Sequence, residues 1–476
     1  MERTLAELMV CFMDWDFPLL PTANSLLLAV AAEAENASLV LAGVLLSLVI
    51  IYLSSKLGGE LCARINLPPV LGELIGGVVV GVSALHLLVF AEGGGDAASS
   101  LLMSLLRETA GLSQEALPIV FQSQSEVISV LAEVGVVILL FEIGLESDLR
   151  ELLRVGPQAI AVACVGVVVP FALGTAGLML LFQVATIPAI FAGAALTATS
   201  IGITAKVLSE LQRLSSREGQ IIIGAAVTDD VLGIIVLAVV ASLARDGQVE
   251  VSDVVYLIFT SVTFLVGAIV LGRLLSPMFV ALVDRMQTRG QVLLSSLIFA
   301  FVLSYVATVI HLEAILGGFA AGLVLAETDK RQEIQAQVVP VADMLVPIFF
   351  VVVGARTDLS VLNPFVPENQ QGLIMAGFLV LVAFLGKAVT GLAVFGQPGI
   401  NRLAIGVGMI PRGEVGLVFA SVGAASGALT KSLEAAIIIM VILTTFLAPP
   451  LLRLAFKLDD ADSEPAPEPT TSEINN

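Results

Sequence analysis

Two adjacent carboxylates, Asp229 and Asp230, stand in the middle of an apolar stretch that runs from Gly219 to Ala244 without a Lys or Arg. The stretch is long enough to cross a bilayer, since a spanning helix needs about 20 apolar residues. A single acid at mid-membrane depth costs about 2.5–3.5 kcal/mol on insertion scales. The pair could face a polar bundle interior and serve structure only, but intramembrane ionisable residues are functional by default. We therefore interpret the pair as a candidate site for protons and cations.

A lone cation, Lys387, lies inside a second apolar stretch, LVLVAFLGKAVTGLAVF. An unpaired Lys there is as costly as the carboxylates, and an ion pair with either Asp229 or Asp230 removes both costs. On one helix the two Asp side chains diverge by about 100°, so one can face Lys387 while the other faces a water-filled cavity. Because breaking a buried ion pair is strongly destabilising, we expect Lys387 to contribute to stability as well as to the chemistry of the site.

Two further apolar segments predict interrupted helices. The segment Thr197–Thr204 concentrates hydroxyl side chains and a Gly, and these hydroxyls compete for backbone hydrogen bonds. The segment Met409–Gly416 contains Pro411, which removes a helix hydrogen bond, and two Gly residues that loosen the backbone. Interrupted helices leave free carbonyl groups and helix-dipole ends, which charges such as Arg412 and Glu414 can compensate. The alternative is a pair of Gly- and Ser-rich packing helices.

Buried carboxylates of this kind suggest a simple exchange chemistry. A carboxylate desolvated in a membrane cavity holds its proton more tightly than in water. A hard monovalent cation needs oxygen ligands and binds only when the carboxylate is ionised, so proton and cation compete for one site. Thr199 and Ser200 could supply neutral oxygens to it. The sequence has no GxxxxGK[ST] nucleotide-binding motif, and we expect no cofactor beyond the transported ions.

The composition is that of a polytopic membrane protein. Of the 476 residues, 57% are hydrophobic and 13% are charged, with a mean hydropathy of +1.01, whereas soluble domains carry about 25% charged residues. The net charge of −19 argues against nucleic-acid binding, which needs clusters of Lys and Arg. Three scattered cysteines fit neither a disulfide framework nor a metal site.

Apolar runs and their polar breaks predict an all-α fold with thirteen membrane spans. The spans are approximately 37–55, 68–90, 127–146, 156–183, 186–210, 219–244, 253–280, 291–310, 312–327, 343–358, 372–397, 400–427 and 433–455. Residues 1–36 are expected to be an amphipathic or re-entrant lead-in, with a cleaved signal or an extra span as alternatives. The acidic, Pro-rich tail, residues 458–476, is expected to be disordered.

The distribution of Lys and Arg predicts the orientation of these spans. Most Lys and Arg residues fall on the connections of one side, which the positive-inside rule assigns to the cytoplasm. The smaller group falls on the other side: Arg3, Arg107, Arg245, Arg356 and Lys431. We therefore expect the N-terminus outside and the C-terminus in the cytoplasm.

An internal repeat relates the two halves of the chain. Residues Val70–Gly77, VLGELIGG, resemble Ile315–Gly322, ILGGFAAG. Residues Gly144–Leu149, GLESDL, resemble Gly354–Leu359, GARTDL, in the same order. Because the two repeats begin an odd number of spans apart, we expect them in opposite orientations. Inverted repeats with a binding site between them are typical of secondary transporters.

Several of these motifs resemble the second cation:proton antiporter family. They are GAAVTDDVLG around the two Asp residues, TATSIGIT, Lys387, PRGEVGLV, LPPVLGELIGG and VGVVILLFEIGLE. Within that family the chain is most similar to the electrogenic NapA-type sodium/proton antiporters, including cyanobacterial ones. The adjacent Asp residues carry this distinction, because potassium-efflux relatives usually have Gln-Asp there and electroneutral ones Asn-Asp.

The resemblance implies an architecture for residues 37–457 as one membrane unit. A six-helix core, residues 156–244 and 372–455, would move against a scaffold, residues 37–146 and 291–358. Residues 253–280 would be a linker helix. The scaffold is the homodimer surface of the family. The membrane would be a bacterial inner membrane, or the thylakoid membrane in a cyanobacterium.

The resemblance also implies roles for individual residues. Asp230 would carry the Na+ ion and the proton, and Asp229 would pair with Lys387. Glu414 and Arg412 would support the crossing of the two interrupted helices. The family exchanges two protons for each Na+, which makes the reaction sensitive to voltage.

Other functions are compatible with parts of this pattern. A potassium/proton antiporter on the same scaffold is the nearest alternative, and a non-transporting cation sensor is another. A channel would need a continuous pore. An intramembrane aspartyl protease would need two Asp residues facing each other from separate helices, which adjacent residues cannot easily provide.

Overall fold

α-Helices form the secondary structure of this protein. A computed structural model describes residues 23–91, 95–246, 251–363, 365, 367–395 and 399–463, and these contain no β-strand. In chain order the helices are α1 (Ala23–Arg64), α2 (Pro69–Val80), α3 (Leu101–Ala110), α4 (Leu117–Glu146), α5 (Leu149–Leu181), α6 (Thr186–Ala195), α7 (Ile201–Glu210), α8 (Arg217–Asp246), α9 (Val251–Arg285), α10 (Gln291–Val309), α11 (Ala314–Ala326), α12 (Arg331–Ala355), α13 (Pro367–Ala388), α14 (Arg402–Gly408), α15 (Glu414–Ala425) and α16 (Lys431–Ser463). The all-α prediction is confirmed.

Within the described ranges, eight helices are long and apolar enough to cross a membrane. Shorter apolar helices, among them α2 and α11, coincide with further predicted spans. Two predicted spans are interrupted by non-helical backbone, between α6 and α7 and between α14 and α15. The predicted interruptions are confirmed, and the total of thirteen spans stays a prediction.

The helices pack in two groups. The first helix group contains α1, α2, α4, α10, α11 and α12, and the second contains α5 to α8 and α13 to α16. Helix α9 contacts α8 of the second group and α10 and α11 of the first. The two groups meet mainly where α7 packs against α2 and α4.

Close glycine contacts join the helices that carry the sequence repeat. Gly77 of α2 lies against Gly354 of α12, and an added Cβ would come within 2.9 Å of the Gly354 Cα. Gly144 of α4 lies in the same way against Gly322 of α11, also at 2.9 Å. Only glycine lets two helix backbones approach so closely. Gly77 corresponds to Gly322 and Gly144 to Gly354 in the repeat, so the two contacts are equivalent and the predicted repeat is present in the packing.

The first two predicted spans differ from the observed helices. Helix α1 begins at Ala23, so part of the predicted lead-in continues the first span as helix, while residues 1–22 lie outside the described residues. Helix α2 ends at Val80 rather than near residue 90. The backbone is extended at Gly81, with φ −85° and ψ −158°, and Val82 N donates to Ala355 O at 3.1 Å instead of continuing the helix.

A short helix, α3, lies in the segment that separates the second and third predicted spans. Ser100 caps its N-terminus, since Ser100 Oγ accepts a hydrogen bond from Met103 N at 3.3 Å. Its side chains Leu102, Met103 and Leu106 are buried. The helix is amphipathic and too short to span a membrane, so an apolar-run criterion does not find it.

Helices α12 and α16 are longer than predicted. Helix α12 begins at Arg331, not at residue 343, because Ile334 and Val338 are fully buried on one face among polar residues. Helix α16 continues to Ser463, which includes residues 458–463 of the tail, and the disorder expected for that tail stays a prediction. That segment contains no Pro or Gly, and Pro465 comes after it. Residues 464–476 lie outside the described residues.

Candidate functional site

Helix α8 carries both carboxylates near the middle of its length. Asp229 is 0% exposed and Asp230 is 6% exposed. The helix packs against α5, α6, α7 and α14 of the second helix group. A carboxylate removed from water in this way needs compensation by charges or hydrogen bonds, and the residues around Asp229 supply it.

Lys387, at the end of α13, supplies the compensating charge. Its Nζ lies 3.0 Å from Asp229 Oδ2, and both side chains are 0% exposed. The ammonium group also donates to Thr197 O at 2.7 Å and to Thr199 Oγ1 at 3.0 Å. Thr199 Oγ1 in turn donates to the same Asp229 oxygen at 2.5 Å. Of the two pairings left open by the sequence, the structure contains the one with Asp229.

The two interrupted helices cross directly beside this ion pair. The backbone N–H of Ser200, in the first interruption, donates to Pro411 O in the second at 2.8 Å. Thr204 Oγ1 donates to Gly408 O at 3.0 Å, so α7 is also tied to the end of α14. An added Cβ on Gly413 would lie 2.8 Å from Ser200 Oγ, which shows how closely the two segments approach.

Arg412 compensates the free carbonyl groups at the crossing. The guanidinium group is fully buried and its Nη1 donates to Ala198 O and, at 3.4 Å, to Thr197 O. These carbonyls follow the C-terminus of α6, which is the negative end of its dipole. Lys387 binds Thr197 O as well, so two cations stabilise one helix end. Glu414 is the first residue of α15, and its side chain lies outside the described residues.

The four buried charges form one electrostatic cluster. Lys387 interacts with Asp229, Asp230 and Arg412, and Arg412 interacts with Asp229. With all four groups ionised, the two carboxylates and the two cations sum to zero net charge. Such a balance makes burial of the cluster tolerable in a membrane, and one bound proton or one bound monovalent cation changes it by the same single charge.

The family model for the transmembrane region of sodium/hydrogen exchangers matches residues 25–457. The chain belongs to the sodium/hydrogen exchanger family. Members of this family are transporters and not enzymes, so the enzyme alternatives are excluded. The resemblance predicted from the sequence motifs is confirmed at this level.

Two relatives of this exchanger show how far the similarity extends. The high-affinity Na+/H+ antiporter NhaS3 of Synechocystis sp. is 65% identical over 456 residues, which cover 95% of this chain and 99% of the relative. The Na+/H+-K+ antiporter GerN of Bacillus cereus is 32% identical over 416 residues, covering 86% of this chain and 96% of the relative.

Two structures of the sodium proton antiporter MjNhaP1 from Methanocaldococcus jannaschii share the fold of this exchanger. Their TM-scores are 0.57 and 0.60, at 17% and 18% sequence identity. They cover 88% and 89% of this chain, and 99% and 98% of the chains compared. The overall fold is therefore that of MjNhaP1.

Oxygens of three residues lie around the exchanger's ion pair and the helix crossing. The hydroxyl of Thr199, which was predicted to offer a neutral oxygen to a cation, accepts from Lys387 and donates to Asp229, and its role as an ion ligand stays a prediction. Ser200 is 7% exposed and lies against Gly413. The main-chain oxygen of Thr197, which accepts from both buried cations, was not predicted.

Thr445 of α16 is a second residue that sequence reasoning missed. Its Oγ1 donates a hydrogen bond to Arg412 O at 2.5 Å, and the residue is 4% exposed. The signal for it was the pair Thr444–Thr445 within an otherwise apolar stretch. Such hydroxyls often satisfy their own helix backbone, as Thr444 does with Met440 O at 2.8 Å, so the pattern does not single out Thr445.

Proposed function

We propose that this exchanger moves Na+ or Li+ in one direction across a membrane and protons in the other, with Asp230 as the shared site. The observation that carries this proposal is the fully buried Lys387–Asp229 pair at the crossing of the two interrupted helices. The pair engages one carboxylate of the Asp229–Asp230 motif. Asp230, the second carboxylate of the motif, is the next residue of α8 and lies about 100° around the helix, and we assign the exchange of ions to it.

Competition at Asp230 explains exchange without a further energy source. Na+ binds when the carboxylate is ionised, and a proton binds when Na+ has left. Main-chain carbonyls at the helix crossing and the hydroxyl of Ser200 are the neutral oxygens available to complete the coordination of the ion. Thr199 in this proposal holds the Lys387–Asp229 pair in place, which is a positioning role.

We also propose that the reaction is electrogenic, with two protons for each Na+. One proton leaves Asp230 when Na+ binds, so a second group must release the other. The Lys387–Asp229 pair is that group in this proposal, because it belongs to the same charge cluster as Asp230. One net charge moved across 100 mV corresponds to about 2.3 kcal/mol, so an imposed potential should drive exchange, and a rate independent of potential would reject this stoichiometry.

Alternating access in this proposal is a movement of the second helix group against the first, with α9 as the linker. The limited contact between the groups, concentrated at α7, supports such a movement. The first helix group would also form the homodimer interface. The distribution of Lys and Arg supports a cytoplasmic location for the C-terminus, in the inner or thylakoid membrane of a bacterium.

Purified protein in liposomes with an imposed pH gradient tests the exchange itself. Addition of Na+ should release protons from the lumen, and Asp230→Asn should abolish this signal while the melting temperature stays near that of the wild type. Asp284→Asn is the control, since Asp284 is 54% exposed in an ion pair with Lys330 and should exchange normally. Full activity of Asp230→Asn would remove Asp230 from the central role.

Potassium/proton exchange is the second candidate, and the similarity to GerN favours it, because the name of that relative includes K+. The same liposome assay with Na+, Li+ and K+ at equal concentration separates the candidates. A response to K+ equal to that with Na+ would support the second candidate. If none of the three ions releases protons, the result would support a non-transporting protein such as a cation sensor.

A further inference from the structure

The far end of α7 makes a polar contact between the two helix groups. Glu210, its last residue, accepts a hydrogen bond from Val70 N, at 3.2 Å to Oε1 and 3.4 Å to Oε2. Val70 lies in the first turn of α2, where backbone N–H groups have no partner within their own helix. A carboxylate at this position is also favoured by the helix dipole. The second helix group is therefore attached to the first by a charge-assisted contact.

Two neighbouring side chains of α7 strengthen the same attachment. Ser209 Oγ donates to Glu146 Oε2 of α4 at 3.4 Å. The positive charge of Lys206 interacts with Glu73 and Glu142 of the first helix group. We call these contacts of Lys206, Ser209 and Glu210 with the first helix group the seam. A polar cavity of about 250 Å³ adjoins the seam and is lined by Glu146, Ser209 and residues of α12.

Helix α7 connects this seam to the ion site. It begins at Ile201, directly after Ser200 at the crossing, and ends at Glu210. Ten residues of helix span about 15 Å, so the site and the seam are the two ends of one rigid element. Helices α6 and α15, on the other side of the crossing, pack against helices of their own group. The groups are thus joined on the side that the Lys and Arg distribution assigns to the cytoplasm.

We infer that Glu210 is a gating residue, whose contact with Val70 N holds the cytoplasmic side closed and must break before Na+ enters from the cytoplasm. This inference rests on the proposed function, because it requires alternating access. In it, Glu210 does not touch the ion. The residue sets the fraction of molecules that are open to the cytoplasm, and through that fraction it sets the apparent affinity on each side.

Glu218 provides a matched control for a merely structural role. Its Oε1 accepts a hydrogen bond from Asn401 N at 3.1 Å, so it also satisfies a backbone N–H group with a carboxylate. Glu218 belongs to α8 of the second helix group, and Asn401 directly precedes α14 of the same group. Glu218→Ala therefore removes a comparable contact that does not join the two groups.

The first experiment compares the apparent KM for Na+ on the two faces of reconstituted vesicles of known orientation. A hydrogen bond to a charged group shifts an equilibrium by about tenfold. Glu210→Ala should therefore lower the KM several-fold on the cytoplasmic face and raise it on the opposite face. Glu218→Ala should leave the ratio of the two KM values unchanged. An unchanged ratio in Glu210→Ala overturns the gate, provided that wild-type protein transports.

The second experiment uses a native thiol as reporter. Cys62 of α1 is 5% exposed and interacts electrostatically with Glu210. In a chain with Cys11→Ser and Cys164→Ser, a membrane-impermeant maleimide added to the cytoplasmic face should label Cys62 several-fold faster in Glu210→Ala. Ser209→Ala should act in the same direction, because it removes the contact with Glu146 Oε2 between the two helix groups. It leaves Glu210, Lys206 and Val70 in place, so a purely local effect on the thiol is separated from opening of the seam.

The outcomes distinguish the gate from the proposed function. Faster labelling with a shifted KM ratio supports the gate. If only Glu210→Ala labels faster and its KM ratio is unchanged, Glu210 merely caps the N-terminus of α2. That result overturns the gating role. Wild-type vesicles that exchange neither Na+ nor K+ reject the proposed function itself, whatever the labelling shows.

Discussion

Removal of either member of the Lys387–Asp229 pair should destabilise the protein strongly. Both side chains are 0% exposed and the Nζ–Oδ2 distance is 3.0 Å. Breaking a buried pair by removal of one partner costs about 3–5 kcal/mol, because the remaining charge stays buried without compensation. Lys387→Met keeps most of the side-chain length and leaves the Asp229 carboxylate with the Thr199 hydroxyl. We expect a melting temperature in detergent that is clearly lower than that of the wild type.

A double-mutant cycle tests whether the loss belongs to the pair. Asp229→Asn keeps one oxygen acceptor but removes the charge, and we expect a similar loss from it alone. Replacement of both members of a buried pair by neutral groups is often close to neutral in free energy. The double variant should therefore be more stable than the sum of the two single losses predicts, by about 2 kcal/mol or more.

An exposed ion pair is the appropriate control. Arg64 Nε and Glu60 Oε1 are 2.9 Å apart on α1, with side chains 73% and 63% exposed. Surface pairs of this kind contribute little because water screens them, so Arg64→Gln should leave the melting temperature unchanged. Additive losses in the cycle at residues 229 and 387, or a wild-type melting temperature for Lys387→Met, would refute the reasoning from burial.

Two smaller changes, Gly413→Ala and Thr445→Val, test the helix crossing, and Gly377→Ala on α13 is their control. Gly413→Ala places a Cβ 2.8 Å from Ser200 Oγ, and overpacking of this kind costs about 1–3 kcal/mol, so melting temperature and exchange rate should both fall; unchanged values would mean that the crossing relaxes freely. Gly377→Ala has no neighbour within 4 Å on α13 and should be neutral or raise the melting temperature, because Ala is the better helix former by about 1 kcal/mol. Thr445→Val removes the hydrogen bond to Arg412 O and should lower stability by about 1 kcal/mol; a neutral result would show that another group satisfies that carbonyl.

The boundaries of helices depended on contacts that the sequence does not show. Helix α2 ends at Val80, and the following Val82 N donates to Ala355 O, which is distant in the chain. Helix α12 begins at Arg331 because its first turns bury only one face. Apolar runs locate a membrane helix where the whole circumference is apolar, and they miss turns that are amphipathic.

The number and kind of intramembrane charges followed from the sequence alone. A carboxylate or a Lys in an apolar stretch is costly wherever the chain folds, so Asp229, Asp230 and Lys387 were identifiable as partners without coordinates. The interruptions around Ser200 and Pro411 were identifiable as well, because Pro, Gly and hydroxyl side chains act on their own local backbone.

Tertiary structure decided which groups meet at the carboxylate pair. Asp229 and Asp230 are the same residue type at adjacent positions, and only the rotation of α8 against α13 selects Asp229 for Lys387. The oxygen of Thr197 binds two cations as a main-chain group, and every residue has such a group. Costs of burial are local properties of a residue and can be read from the sequence, whereas partners are set by the relative placement of helices that lie far apart in the chain.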